Sequence, residues 1–209
     1  MRCAYPMMLD VSQRLVVIVG GGAVAARKAR GLLDAGATRL RIISPEFCDT
    51  VPTGVERVSA PYDPRHLEGA ELVFAATDDA AVNAAVVNDA HRLNLFVNRA
   101  DSTELSEGDF ATPAALRHED LVITVSPGGA PALAAAIRDD LRAKLDPRWT
   151  AMVRAARELR PRALEILDVE RRRQILRAMT TPEALQVLDR QGVQGLWNWL
   201  CQRHPEASA

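Results

Sequence analysis

Three consecutive glycines, Gly20-Gly21-Gly22, are the first residues whose type and spacing could support chemistry. With Ala25 they form a Gly-x-Gly-x-x-Ala pattern between an apolar run, Leu15–Val19, and a helical stretch, Ala23–Ala35. Such glycines permit a tight turn and let the backbone approach a diphosphate, while the helix presents free N–H groups and the positive end of its dipole. We therefore predict a dinucleotide-binding turn; the alternative is a glycine-rich turn that binds nothing.

The ends of two further apolar runs carry candidate cofactor contacts. Ser44 follows Leu40–Ile43, where such folds usually carry an acid for the adenosine ribose, and Glu46 comes two residues later. No Arg follows in this loop to hold a 2′-phosphate, so NAD is predicted over NADP. Thr77, at the end of a later strand, is a candidate cofactor contact. Asp79 either assists there or caps the next helix.

An acid follows the fifth predicted strand. The strand Leu95–Val97 leads into Asn98-Arg99-Ala100-Asp101. A carboxylate at this strand end would face the nicotinamide edge of the cleft and could accept a proton as a hydride leaves. Asp101 is therefore the predicted catalytic base. A solvated loop acid is the alternative reading, and the pair His118-Glu119 is a second candidate for the base.

Several other protein classes lack the residues they need. A short-chain dehydrogenase requires Tyr-x-x-x-Lys, but Tyr5 and Tyr62 are followed at that offset by Leu9 and His66. The three cysteines and four histidines do not cluster, so neither a metal site nor a disulfide framework is predicted. A net charge of −1 and an aromatic content of 4% argue against nucleic acid as a partner. We find neither a membrane-length apolar run nor a signal peptide, and expect a cytoplasmic protein.

Strands and helices alternate through the first half of the chain. The predicted strands are Leu15–Val19, Leu40–Ile43, Val55–Val58, Leu72–Ala76 and Leu95–Val97. The helices are Ala23–Ala35, with Arg27, Lys28 and Arg30 on its polar face, and Asp79–Leu93. This alternation predicts an α/β fold with a Rossmann-like parallel sheet, whose carboxyl ends bring the candidate residues to one edge.

The pattern changes after Asn98. Phe110–Ala115 and Leu121–Val125 are predicted to pair as a small antiparallel extension, and from Pro131 onward only helices are predicted, with a break at Gly192. The predicted domains are a Rossmann NAD-binding domain over 1–113, a dimerisation and linking segment over 114–146, and an all-helical C-terminal domain over 147–209.

Several blocks, taken in this order, resemble one family, the precorrin-2 dehydrogenases and the siroheme synthase N-terminal modules. The resemblance is strong over about residues 4–145. It rests on Val17-Ile18-Val19-Gly20-Gly21-Gly22-Ala23-Val24-Ala25, Arg27-Lys28-Ala29-Arg30, Ala75-Ala76-Thr77-Asp78-Asp79, Asn98-Arg99-Ala100-Asp101, Phe110-Ala111-Thr112-Pro113-Ala114 and Ser126-Pro127-Gly128-Gly129. The last block departs from the family, because Pro127 replaces a second Ser. The 209 residues include no methyltransferase domain, so we expect the free-standing dehydrogenase.

The resemblance implies NAD-dependent oxidation of precorrin-2 to sirohydrochlorin in siroheme or cobalamin biosynthesis. It also implies a cytoplasmic homodimer, with Asp101 as the base. The family's cofactor contacts correspond here to Ala23, Val24, Pro45 and Glu46. An apolar cluster near the last helix, Leu196, Trp197, Trp199 and Leu200, is compatible either with a dimer or with packing inside the helical domain.

Precorrin-2 carries eight carboxylates, so its cleft should present cationic and polar donors. The candidates are Asn98, Arg99, Arg117 and His118. Two other functions stay open. One is a bifunctional enzyme that also inserts iron into sirohydrochlorin, since the family's acid assists that step in some members. The other is a Rossmann module that senses NAD without catalysis.

Overall fold

A computed structural model describes residues 5–101, 108–166 and 169–203. The strands are β1 Leu15–Val19, β2 Arg39–Ile43, β3 Glu56–Val58, β4 Leu72–Ala75, β5 Phe96–Arg99, β6 Ala114–His118 and β7 Leu121–Val125. The helices are α1 Ala23–Leu33, α2 Ala80–Arg92, α3 Pro131–Lys144, α4 Arg148–Ile166, α5 Val169–Ala178 and α6 Pro182–Arg203, with a short 3-10 helix at Pro64–Leu67. The predicted Rossmann-like class with an antiparallel extension and C-terminal helices is confirmed.

Within the described residues, five parallel strands form one sheet in the order β3-β2-β1-β4-β5. Every residue of β1 and β4 is buried, which explains their uninterrupted apolar sequences. Both faces of the sheet carry helices. One core cluster includes Ile18, Ile42 and buried alanines of α1, and the other includes Val17, Val73 and Val86 of α2. The carboxyl ends of β1, β2, β4 and β5 therefore meet at one edge.

The second half contains an antiparallel β6-β7 pair, which packs against α3, and three helices with a core of their own. β6 begins at Ala114, so the predicted strand Phe110–Ala115 was placed four residues too early. The cause is that Phe110 serves the first sheet: its ring lies edge-on to Phe74, with the ring centroids 5.4 Å apart.

The C-terminal helices bury their own apolar residues. Leu196 and Leu200 are fully buried, and Trp197 and Trp199 pack against the same cluster. Packing inside the helical part therefore accounts for this apolar group, which no longer argues for a dimer. A non-helical residue, Gly192 (φ 67°), interrupts α6 at the predicted break.

The chain divides into two compact units. The first is Met1–Thr112 with Gly128–Ala130, and the second is Pro113–Pro127 with Pro131–Ala209. The separation of 114–146 from 147–209 as distinct domains stays a prediction.

Candidate functional site

Two glycines are required by close backbone packing at the carboxyl edge of the sheet. Gly20 has φ +129°, and a Cβ there would lie 2.3 Å from the carbonyl oxygen of Ala76. A Cβ on Gly21 would lie 1.9 Å from the carbonyl oxygen of Glu46 and 2.6 Å from Oγ of Ser44. The turn is thus wedged between the ends of β2 and β4, where only glycine fits.

Gly22 differs from the other two, because it faces open space. It is the N-cap of α1 with φ −85°, no side chain caps the helix, and a Cβ there would meet no atom within 4 Å. Ala23 and Val24 in the first turn are exposed, whereas Ala25 is fully buried against the sheet. The N–H groups at the start of α1 therefore have no side-chain cap, and an anion such as the diphosphate of a dinucleotide could bind to them.

The loop after β2 closes against the glycine turn. The Cys48 amide donates to the Gly21 carbonyl oxygen (2.9 Å), and the Ser44 amide donates to that of Val58 (3.1 Å). Pro45 and Glu46 are exposed beside this junction. The structure thus brings Ser44, Pro45 and Glu46 next to the glycine turn.

Arg57 is a cation near this loop that the sequence analysis missed, because it comes from β3 and not from the loop itself. Its guanidinium lies 5.5 Å from the centre of the Phe47 ring. It donates to the carbonyl oxygens of Val51 (2.8 Å) and Pro52 (3.0 Å). These contacts of Arg57 therefore stabilise the loop that begins with Ser44.

Thr77 lies at the end of β4 in a network centred on the buried Asn83. Asn83 Oδ1 accepts from the Thr77 amide (3.1 Å) and hydroxyl (2.8 Å), and Asn83 Nδ2 donates to the Thr77 carbonyl oxygen (3.0 Å). Asp79 caps α2, accepting from the amides of Ala81 and Val82 at 2.8 and 3.2 Å. Helix capping therefore explains Asp79, while Thr77 stays beside the glycine turn as a candidate contact.

Asp101 is paired with Arg99 at the end of β5. Arg99 Nε donates to Oδ1 (2.8 Å) and Nη2 to Oδ2 (3.1 Å), and the Asp101 side chain is 30% exposed. This bidentate pair, followed by smaller contributions that include Asn83, lowers the pKa of Asp101 below its usual value. Asp101 is therefore an ionised, oriented carboxylate at neutral pH, and Arg99 is engaged in holding it.

Asn98 is buried and binds within the protein. Its Oδ1 accepts from Lys28 Nζ (2.7 Å), and its Nδ2 donates to the Phe110 carbonyl oxygen (2.8 Å). Lys28 also donates to Thr112 Oγ1 (3.2 Å). Burial, with a smaller effect from Arg27, lowers the pKa of Lys28 to about 8. The prediction that Lys28 lies on the polar face of its helix was wrong, because the side chain reaches across the sheet; periodicity did not signal this.

Arg117 and His118 lie in the second unit, on β6, and both are exposed. The cofactor candidates, together with Asn98, Arg99 and Asp101, all lie in the first unit. Across the residues that the structure describes, no three His, Cys, Asp or Glu side chains come together as metal ligands would. In the same residues every helix is too short or too polar to cross a membrane.

The chain is similar in sequence to one known family and to individual proteins. Residues 7–114 match the family described as "Putative NAD(P)-binding". Siroheme synthase 2 of Aeromonas hydrophila subsp. hydrophila is 37% identical over 205 residues, covering 93% of this chain and 42% of that protein. Siroheme synthase of Photorhabdus laumondii subsp. laumondii is 34% identical over 174 residues, covering 80% of this chain and 36% of that protein. This chain thus spans well under half the length of these relatives.

A solved structure of SirC, precorrin-2 dehydrogenase, has the same fold. It superposes with a TM-score of 0.76 at 24% identity, over 95% of this chain and 100% of that one. The family match covers the glycine turn, the loop after β2 and the Arg99–Asp101 pair. The chain therefore belongs to this NAD(P)-binding family.

Proposed function

We propose that this protein is an NAD-dependent dehydrogenase that oxidises precorrin-2 to sirohydrochlorin in the cytoplasm. The observation that carries the proposal is Asp101, an ionised carboxylate at the same sheet edge as the glycine turn. The siroheme synthases that resemble 93% and 80% of the chain support this choice of substrate.

The glycine turn and the loop after β2 would hold the cofactor. The N–H groups at Gly22, Ala23 and Val24 would bind its diphosphate, while Ser44 and Glu46 would bind the adenosine ribose. Bound NAD⁺ supplies the hydride acceptor. NAD is proposed over NADP because Glu46 would repel a 2′-phosphate and Arg57 is occupied by the carbonyl oxygens of its loop.

Asp101 would accept the proton that leaves as the hydride is lost. The net reaction converts precorrin-2 and NAD⁺ to sirohydrochlorin, NADH and one proton, which Asp101 passes to water. Arg99 keeps the carboxylate ionised and oriented. Arg117 and His118 are the proposed contacts for substrate carboxylates, whereas Asn98 and Arg99 would act there mainly by supporting Asp101.

A homodimer is proposed from the outer face of α3. Leu133, Ile137 and Leu141 recur every four residues and are 52%, 37% and 38% exposed, while the other side of α3 packs on β6 and β7. The charged residues beside this apolar stripe of Leu133, Ile137 and Leu141 form ion pairs within α3, so the stripe is the surface that a second copy of the chain would bury.

Adding precorrin-2 and NAD⁺ to the purified protein tests the proposal directly. We expect NADH to appear with sirohydrochlorin in equal amounts, and a slower reaction with NADP⁺. NAD⁺ binding without turnover of precorrin-2 would instead favour the sensing module. A preference for NADP⁺ would contradict the cofactor assignment alone.

A further inference from the structure

Lys28 is a partly buried lysine in the first unit. It projects from α1 over the ring of Phe74, with Nζ 4.9 Å from the ring centre, and reaches β5. Its hydrogen-bond partners are two neutral oxygens, Asn98 Oδ1 and Thr112 Oγ1. Moving a cation into such a site is unfavourable, as its lowered pKa indicates. Packing alone would be served better by an apolar residue of similar length.

The two partners of Lys28 lie on either side of Asp101 in the chain. Asn98 is three residues before Asp101, and Thr112 is eleven residues after it. Asn98 also donates to the carbonyl oxygen of Phe110. The Lys28 ammonium group and the Asn98 side-chain amide therefore connect residues 96–101, which end at Asp101, to residues 108–112.

The returning chain runs close along β5. The Asp109 amide donates to the Val97 carbonyl oxygen (2.8 Å), and Asp109 Oδ2 accepts from the Val97 amide (2.9 Å). A Cβ on Gly108 would lie 2.9 Å from the same carbonyl oxygen of Val97. Lys28 thus completes a set of contacts that fixes the stretches 96–101 and 108–112 together, while 102–107 lies outside the described residues.

Building on the proposed function, we propose that Lys28 is a positioning residue for Asp101, because its ammonium group joins the stretch that ends at Asp101 to the stretch 108–112. Lys28 does not itself touch the reacting atoms. Its effect passes through Asn98 to the end of β5, where the Arg99–Asp101 pair is formed. A small displacement of a catalytic group is enough to slow a reaction strongly.

The test compares Lys28→Met, which keeps length and loses the donor, with Arg30→Met on the exposed side of the same helix. In Lys28→Met we expect kcat for NADH formation to fall roughly 10- to 100-fold. The dissociation constant of NAD⁺ should stay within about twofold, because the hydrogen bonds of Lys28 go to Asn98 and Thr112 and not to the glycine turn. Arg30→Met should match the wild type in both.

Amide hydrogen exchange provides a readout that does not depend on the substrate. Lys28→Met should exchange faster in 96–101 and 108–112 but not in β1 or β2. An unchanged kcat with unchanged exchange would overturn the inference. Faster exchange throughout the first unit, together with weaker NAD⁺ binding, would also overturn the inference, since that result indicates only a structural role. A wild type that does not oxidise precorrin-2 would refute the proposed function, while the exchange pattern would still decide whether Lys28 joins the two stretches.

Discussion

At the scale of single residues, Arg99 has two opposed effects on Asp101, the proposed base. Arg99 keeps Asp101 ionised at neutral pH, which makes the carboxylate available, but it also lowers the pKa and hence the intrinsic basicity. In the proposed mechanism, orientation by two hydrogen bonds would offset that loss, since a proton acceptor must lie within hydrogen-bond reach of the proton.

Asp101→Asn should lower NADH formation by roughly 10²–10⁴-fold, because the amide keeps size and polarity but cannot accept a proton. NAD⁺ binding should persist, which equilibrium titration would measure. Asp79→Asn is the matched control, because Asn caps a helix about as well as Asp and Asp79 serves as the cap of α2. Full activity in Asp101→Asn would refute Asp101 as the base.

Lys28 should make stability rise with pH in the alkaline range. Its pKa is about 8 in the folded protein and 10.5 as the ordinary value, so between these pH values the unfolded chain binds more protons. The free energy of unfolding therefore increases through this window as the unfavourable charge is lost. Relative to Lys28→Met, the wild type should gain on the order of 1–2 kcal/mol between pH 8 and pH 10.5, since water still reaches part of the side chain. Denaturant titrations of both proteins at each pH would measure this, and a constant difference would contradict the assigned pKa.

The sequence predicted Asp101 and not Lys28 for a physical reason. Asp101 follows an apolar strand, and local order alone places such a residue at the sheet edge. Lys28 and Asn98 are 70 residues apart, so their hydrogen bond depends on how α1 crosses β4. Helical periodicity predicts only the face on which the Cα of Lys28 lies. A long side chain can leave that face, and periodicity does not show this.

At the scale of elements, the three glycines of the turn between β1 and α1 have different structural roles. Gly20 and Gly21 are required by the fold, whereas Gly22 leaves space for a ligand. The sequence pattern predicted the turn but not this division, since the close contacts come from Glu46 and Ala76 in distant parts of the chain. The predicted start of β6 was wrong for a similar reason: Phe110 packs against the core of the first sheet, which is distant from it in sequence.

Substitutions in this turn should therefore separate folding from binding. Gly22→Asp should abolish NAD⁺ binding through charge repulsion of the diphosphate, yet melt near the wild-type temperature, because its side chain enters open space at a helix N-cap. Gly21→Ala should lower the melting temperature, because its Cβ would meet the Glu46 carbonyl oxygen. Thermal melts and NAD⁺ titrations measure both effects. Unchanged NAD⁺ affinity in folded Gly22→Asp would remove the turn from the site.

At the scale of the whole molecule, apolar surface is distributed unevenly between the elements. The helices α4, α5 and α6 share a buried core, and the parallel sheet is covered on both faces. By contrast, Ala134 is the one described residue of α3 that is buried, and the apolar stripe of Leu133, Ile137 and Leu141 is exposed. The sequence predicted a dimer from the apolar cluster around the terminal tryptophans. In the structure that cluster packs inside the helical part, and the exposed apolar residues of α3 are the basis for the proposed dimer.

Ile137→Glu tests the proposed dimer at the centre of the stripe. A carboxylate there would be buried and unpaired against the second copy, which costs several kcal/mol for each of the two symmetric sites. Sedimentation at micromolar concentration should give a dimer for the wild type and a monomer for Ile137→Glu. Leu176→Glu is the control, because Leu176 is 50% exposed on α5 and lies outside the stripe, so this variant should remain dimeric. NAD⁺ affinity should be the same in all three proteins, since the glycine turn belongs to the first unit. A monomeric wild type would exclude α3 as a dimer interface, and dissociation of both variants would indicate a general loss of folding.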